Sequence, residues 1–254
     1  MSYGKVPYYL NTIFYIIMRF FLKHKAIAAA LTLSVLSLGL VSCSKMDSNY
    51  EPVQVSGLNI IQASPTTELL DVYVDNTRAN SSEFEFGSKI GYLSAYSGNR
   101  TFNVTKRGTS TSLKSLQHTL KPQLGYSLFV ANTLANIEFL MLEDNLEKPA
   151  TGKAKIRFVN LSPDGGALSL NVNGAATDLV LNKAFKEYSP FEAVDAAESV
   201  TLNIKNSSGG TESSITAVKL EDGKIYTVYA KGLKANTDDT RLSAKIFVHS
   251  TGVN

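Results

Sequence analysis

Residues 58–76, LNIIQASPTTELLDVYVDN, can be laid on residues 156–174, IRFVNLSPDGGALSLNVNG, without a gap at a shift of 98. Ser64-Pro65 falls on Ser162-Pro163, and the apolar positions agree: Leu58 with Ile156, Ile60 with Phe158, Leu70 with Leu168, Val72 with Leu170, Val74 with Val172. Further on, RTFNV (100–104) matches VTLNI (200–204) and GYSLFVA (125–131) resembles IYTVYAK (225–231), now at a shift of 100. An internal repeat of this period means two related units, and the change of shift places a small length difference in a loop between the matched segments. The chain therefore reads as two domains, residues 57–146 and 153–254, joined by a linker at 147–152.

The alternation Leu70, Val72, Val74 and its copy Leu168, Leu170, Val172 has period two, which predicts strands with one buried face. Each ends in a pair suited to a tight hairpin, Asp75-Asn76 and Asn173-Gly174. Turn signals recur at KRGTS (106–110), NSSGG (206–210) and EDGK (221–224), and no segment after residue 50 sustains helical periodicity for three turns. Seven or so short strands in each unit predict an all-β chain of two tandem immunoglobulin-like (Greek-key) β-sandwich domains. Leu120 precedes Tyr126 by six residues, and Leu220 precedes Tyr226 by six. That spacing resembles the tyrosine corner of such sandwiches, so both tyrosines are assigned to architecture.

The only cysteine, Cys43, follows a basic stretch from Met18 and the 17 uncharged residues Ala26 to Ser42. This is the layout of a secretory signal. Leu40, Val41, Ser42 and Cys43 resemble the lipobox of a bacterial lipoprotein signal, which implies cleavage before Cys43 and lipidation of its thiol. Two or more acyl chains hold a protein firmly at a bilayer where one does not. The expectation is an upstream extension at 1–17, a signal peptide at 18–42 with translation starting at Met18, a flexible tether at 43–56, and a lipid-anchored protein of the cell envelope, at the outer membrane. An uncleaved helix is the other reading of the uncharged run, which reaches the lower limit of a membrane span.

The sequence contains 25 Lys and Arg against 22 Asp and Glu, a formal net charge of +3. Four of the basic residues and none of the acidic ones lie in residues 1–43, so the remainder carries 21 basic against 22 acidic groups. Without a basic face a nucleic-acid partner is not expected. Beyond the leader the histidines are His118 and His249, neither in a metal-ligand spacing, and no thiol remains for catalysis if Cys43 is acylated. Asp71 and Asp75 share one strand face opposite Val72 and Val74 and are expected in solvent, while Glu83 and Glu85 alternate with Phe84 and Phe86 as in a half-buried strand. SPDGGA (162–167) and ANTDDT (235–240) offer oxygen ligands through Asp164, Asp238 and Asp239, but not in the spacing of a calcium loop. No enzyme, cofactor or metal is expected. The residues singled out for ligand binding are Tyr92, Tyr96, Tyr188 and Asp164.

The openings ASPTTELLDVYVDN (63–76) and LSPDGGALSLNVNG (161–174), with the later strands GYSLFVAN (125–132) and GKIYTVYAKG (223–232), resemble the bacterial extracellular domain of unknown function numbered four-three-nine-seven. The resemblance implies an immunoglobulin-like sandwich on secreted or surface-anchored bacterial proteins, and brings no catalytic residues. Two functions remain: a non-catalytic, membrane-anchored interaction or structural module that meets an envelope partner through loops or a sheet edge, and an accessory subunit that binds a soluble ligand or glycan between its domains.

Overall fold

The computed structural model describes residues 53–249. The lipobox, Cys43, the upstream extension and most of the tether lie outside the described residues. In the first half, β1 (Val55–Gln62), β2 (Leu70–Val74), β3 (Thr77–Arg78), β4 (Lys89–Tyr96), β5 (Gly98–Lys106), β6 (Ser112–Leu120), β7 (Gly125–Ala131) and β8 (Glu138–Asp144) form two four-stranded sheets, ordered β4-β1-β7-β8 and β3-β2-β5-β6. The second half repeats the pattern. There β9 (Lys153–Leu161), β10 (Leu168–Val172), β11 (Val180–Lys183), β12 (Glu192–Asp195), β13 (Ala197–Asn206), β14 (Thr211–Leu220), β15 (Ile225–Lys231) and β16 (Ser243–Val248) pair as β12-β9-β15-β16 and β11-β10-β13-β14. Each half is thus a sandwich of eight strands. Among the described residues the one helical piece is a 3-10 turn at Leu134–Asn136, and no helix is long and apolar enough to cross a membrane.

Each sandwich closes over its own core. Leu58, Ile60, Leu70, Val72, Phe102, Val104, Tyr126 and Leu128 fill the first, and their counterparts Ile156, Phe158, Leu168, Leu170, Leu202, Ile204, Tyr226 and Val228 fill the second. In both, the first strand lies parallel to the seventh, Leu58 opposite Tyr126 and Ile156 opposite Tyr226. The tyrosine corner is present twice. Lys121 N donates to the Tyr126 hydroxyl and Glu221 N to the Tyr226 hydroxyl, both at 3.0 Å, where the chain crosses from the outer sheet to the inner one.

Three local expectations are corrected. Asp75-Asn76 does form a tight hairpin, with Asp75 at φ 53° and Val74 opposite Thr77. Asn173-Gly174 turns as tightly, Ala175 N donating to Val172 O, but the partner strand resumes only at Val180, so that hairpin is open. Phe84 is buried as the alternation predicts, yet residues 83–86 make an isolated bridge from Phe84 to Leu70 instead of a strand. Asp71 is not in solvent but 1% exposed: Asn80 Nδ2 and Gly108 N donate to its carboxylate, and Arg78 stands 3.8 Å away.

A third apolar cluster lies between the sandwiches. Ile61, Ala63, Phe129, Ala131 and Leu142 of the first inner sheet pack against Val159, Leu161, Tyr229 and Phe247 of the second. The inner strands are therefore buried on both faces, which is why β7 and β15 show no exposed position. The contact is close to self-complementary. Phe129 and Tyr229, equivalent at a shift of 100, meet with ring centroids 6.0 Å apart, as the related surfaces of an isologous dimer would.

Candidate functional site

Two places concentrate chemistry. The first is a ring of polar side chains buried where the inner sheets meet. Tyr92 on β4, Ser127 on β7 and Asp144 on β8 come from one sandwich, and Arg157 on β9, Thr227 on β15 and His249 just beyond β16 from the other. Arg157 Nη2 donates to Asp144 Oδ1 at 2.7 Å, with the two side chains 2% and 0% exposed. Arg157 Nε donates to Thr227 Oγ1 at 3.2 Å, and Thr227 Oγ1 lies 2.7 Å from His249 Nε2. The Tyr92 hydroxyl donates to Asp144 Oδ2 at 2.7 Å and lies 2.5 Å from His249 Nδ1, while Ser127 Oγ also donates to Asp144 Oδ2.

One proton arrangement satisfies every bond. The Tyr92 hydrogen is committed to Asp144, so Nδ1–H of a neutral His249 donates to the Tyr92 oxygen and Nε2 accepts from Thr227. Burial pushes the imidazole pKa down to about 4, against the opposing pull of Asp144, which agrees with the neutral form. Burial, helped by the Asp144 charge, pushes the Tyr92 phenol well above its ordinary range. Phe191 closes the ring from the side, 4.6 Å from the Arg157 guanidinium carbon and edge-on to His249. Hydroxyl and imidazole stand here as a nucleophile and base would, with the Tyr92 hydroxyl set between the imidazole and the Asp144 carboxylate. Thr227 is entirely buried, however, and its hydroxyl is shared between Arg157 and His249, so the ring's bonds join the two sandwiches.

The second place is a groove at the open side of the first sandwich, between edge strands β3 and β4, with a volume of about 370 Å³. Leu58, Val74, Ala79, Leu93 and Ala95 form its apolar wall. Tyr96, 65% exposed, stands at the rim with Arg78 and Arg100. Arg100 is held by Asp75 Oδ2 at 2.9 Å and Ser97 O at 3.1 Å. In the related groove of the second sandwich Asp195 replaces Tyr96 at the rim and is ion-paired with Lys153 at 2.6 Å.

The residues singled out from sequence fall in separate places. Tyr92 belongs to the buried ring and Tyr96 to the groove rim. Tyr188, 49% exposed, bridges to Val159 at the edge of the second inner sheet. Asp164 spends its carboxylate on Lys234 N and Ala235 N, at 2.7 and 2.9 Å, which fastens one loop to another. Among the described residues no group of three His, Cys, Asp or Glu side chains is placed to hold a metal ion. Arg157 and Asp144 were not singled out from sequence. The available signal was Arg157 itself, a cation set directly between the apolar Ile156 and Phe158.

No curated protein matches the chain. Solved structures overlap it loosely. A streptococcal virulence factor that binds alpha-glucan is 10% identical with a TM-score of 0.25, covering 74% of this chain and 96% of its own. CBMbc (family CBM26) of Eubacterium rectale Amy13K, in complex with maltoheptaose, is 11% identical with a TM-score of 0.25, covering 77% and 97%. A Bacteroides uniformis protein named a "putative cell adhesion protein" is 10% identical with a TM-score of 0.23, covering 77% and 99%. At these TM-scores the overlaps carry no argument about this chain. Residues 56–171, from β1 through the first sandwich and into β10 of the second, match the model of the family described as Domain of unknown function (DUF4397).

Proposed function

We propose that the chain is a non-catalytic lipoprotein of the bacterial cell envelope, anchored at the outer membrane through Cys43, and that it acts as an interaction module. Its occupant is an extended segment of a partner protein, added as a strand to the free edge of β4. The observation that carries this reading is the character of that edge. β4 ends its sheet, has no charged residue from Ile90 to Tyr96, and borders the apolar groove that Tyr96 overhangs. Edge strands are ordinarily blunted by charge, as β12 is by Glu192 and Asp195. Strand addition draws affinity from main-chain hydrogen bonds and specificity from side-chain pockets beside them. The confinement of the Thr227 hydroxyl and the His249 imidazole to the buried interface supports a binding role over a catalytic one.

The test is capture of envelope proteins on the intact lipidated protein, compared with Gly91→Lys and Ser94→Lys variants. A Cβ at Gly91 meets nothing within 4 Å among the described residues, so that lysine charges the edge without disturbing the fold. A partner retained by the parent protein and lost from both variants is the expected result; retention by both rules out the edge. Mass spectrometry of the native protein tests the anchor, with a chain beginning at an acylated Cys43 expected.

A further inference from the structure

On the outer face of the first sandwich, β3, β2 and β5 place Arg78, Tyr73 and Asn103 in one row, since Tyr73 lies opposite both Arg78 and Asn103. The neighbouring row sets Asp71 opposite Thr105. These side chains line a hollow of about 560 Å³, within the range of small-molecule sites, roughly 300–1,000 Å³. Val72, Val74, Phe102 and Val104 alternate with them and face the core, so the hollow has a rigid floor.

Its polar groups are not all used within the protein. Thr105 is 2% exposed and its hydroxyl has no hydrogen-bond partner among the described residues, a costly condition for a buried polar atom. Asn103 accepts from Ser112 Oγ through Oδ1, which leaves its Nδ2 donor without a partner among the described residues. The second sandwich provides an internal comparison at equivalent positions. There Ser169 Oγ accepts from Asn182 N at 3.0 Å and Lys205, in the place of Thr105, is paired with Asp178 at 3.1 Å, while Asn171 Nδ2 and Asn203 Nδ2 stand 3.5 Å from Thr177 O and Asn173 Oδ1, at the outer limit of a hydrogen bond. The face is closed by its own bonds in one copy and open in the other, and only the open copy carries an aromatic ring, Tyr73, in the row.

The charges decide the ligand class. Arg78 is the one cation among the residues lining the hollow and stands 3.8 Å from the Asp71 carboxylate, so among the described residues no uncompensated cation there attracts an anion. A half-buried aromatic ring offers a platform for the C–H face of a sugar. Amide, hydroxyl and carboxylate groups beside it exchange hydrogen bonds with ring hydroxyls. We infer that this hollow is a binding site for a neutral saccharide, with Tyr73 as the stacking platform and Asn103 and Thr105 as hydrogen-bonding partners. The inference deepens the interaction-module reading and rests on it, through a face distinct from the β4 edge.

A glycan array holding neutral and acidic saccharides, probed with the full chain, identifies the ligand, and calorimetry with the best neutral oligosaccharide measures it. Binding of a neutral saccharide is expected, weakened at least tenfold by Tyr73→Ala and by Asn103→Ala, and unchanged by Asn203→Ala in the second sandwich. Circular dichroism checks that each variant is folded, and Asn103→Ala, lying on the partly exposed row, serves if Tyr73→Ala is not. Silence across the neutral saccharides, preference for acidic ones, or binding that survives both variants overturns the inference. Each of these failures leaves capture through β4 untouched, so the two readings fail separately.

Discussion

Asp144 and His249 occupy equivalent positions in the two sandwiches, one opposite Gly125 and the other bonded through its N–H to Ile225 O, and they face each other with Asp144 Oδ2 3.7 Å from His249 Nδ1. A residue that meets its own counterpart marks a local twofold relation. Here divergence has made the pair chemically complementary, and the polar ring is built around it.

The Arg157–Asp144 pair is the most exacting contact of that ring. Asp144→Ala leaves a buried guanidinium without its anion, and Arg157→Ala leaves a buried carboxylate. Each is expected to cost about 3–5 kcal/mol, the usual range for breaking a buried pair. The double change Asp144→Leu with Arg157→Met is expected to cost less than either, because no charge is left uncompensated. Urea unfolding of the three variants checks the order.

His249 makes stability depend on pH. Its pKa falls from an ordinary 6.5 to about 4 in the folded protein, with Asp144, Arg157 and Lys89 the charged groups that face it. Between those values the unfolded chain binds the extra proton and the folded one does not, so stability is complete above pH 6.5 and lost as pH falls toward 4. The loss approaches about 3 kcal/mol. Thermal unfolding between pH 7 and 4 measures it, and His249→Gln is expected to flatten this part of the profile while lowering stability throughout.

Gly232 is a backbone position with no alternative. It sits at φ +92°, and a Cβ there would lie 2.2 Å from Arg241 O. Gly232→Ala combines left-handed strain with collision against main chain that cannot rotate away, and is expected to cost at least about 2 kcal/mol in chemical denaturation.

The repeat, the strand content and both tyrosine corners were legible because each leaves a local signature: a fixed shift, a period of two, a six-residue spacing. The face-to-face packing was not read from sequence, although adjacent apolar pairs such as Ile60-Ile61 and Phe158-Val159 carry its trace: a strand covered on one face has no use for the second member. The polar ring escaped because its members are drawn from β4, β7, β8, β9 and β15 and the segment after β16, and no linear spacing encodes that meeting. Asp71 was misplaced for a related reason. Period two assigns a face, but burial of that face depends on Asn80 and Gly108, which arrive from separate loops.

Asn59 supplies the converse of the Arg157 prediction. At a shift of 98 it is the counterpart of Arg157, is completely buried, and has neither amide atom hydrogen-bonded among the described residues. The second sandwich uses this position to reach Asp144; in the first, the amide meets no such partner and its desolvation is not repaid. Leucine is close to asparagine in shape and carries no polar atom. Asn59→Leu is therefore expected to stabilise the protein by about 1 kcal/mol, since removing an unsatisfied buried group recovers its desolvation cost. A rise in the urea midpoint with an unchanged slope checks it. A fall would mean that the amide has an ordered water for company and that the interface is wetter than its apolar cluster implies.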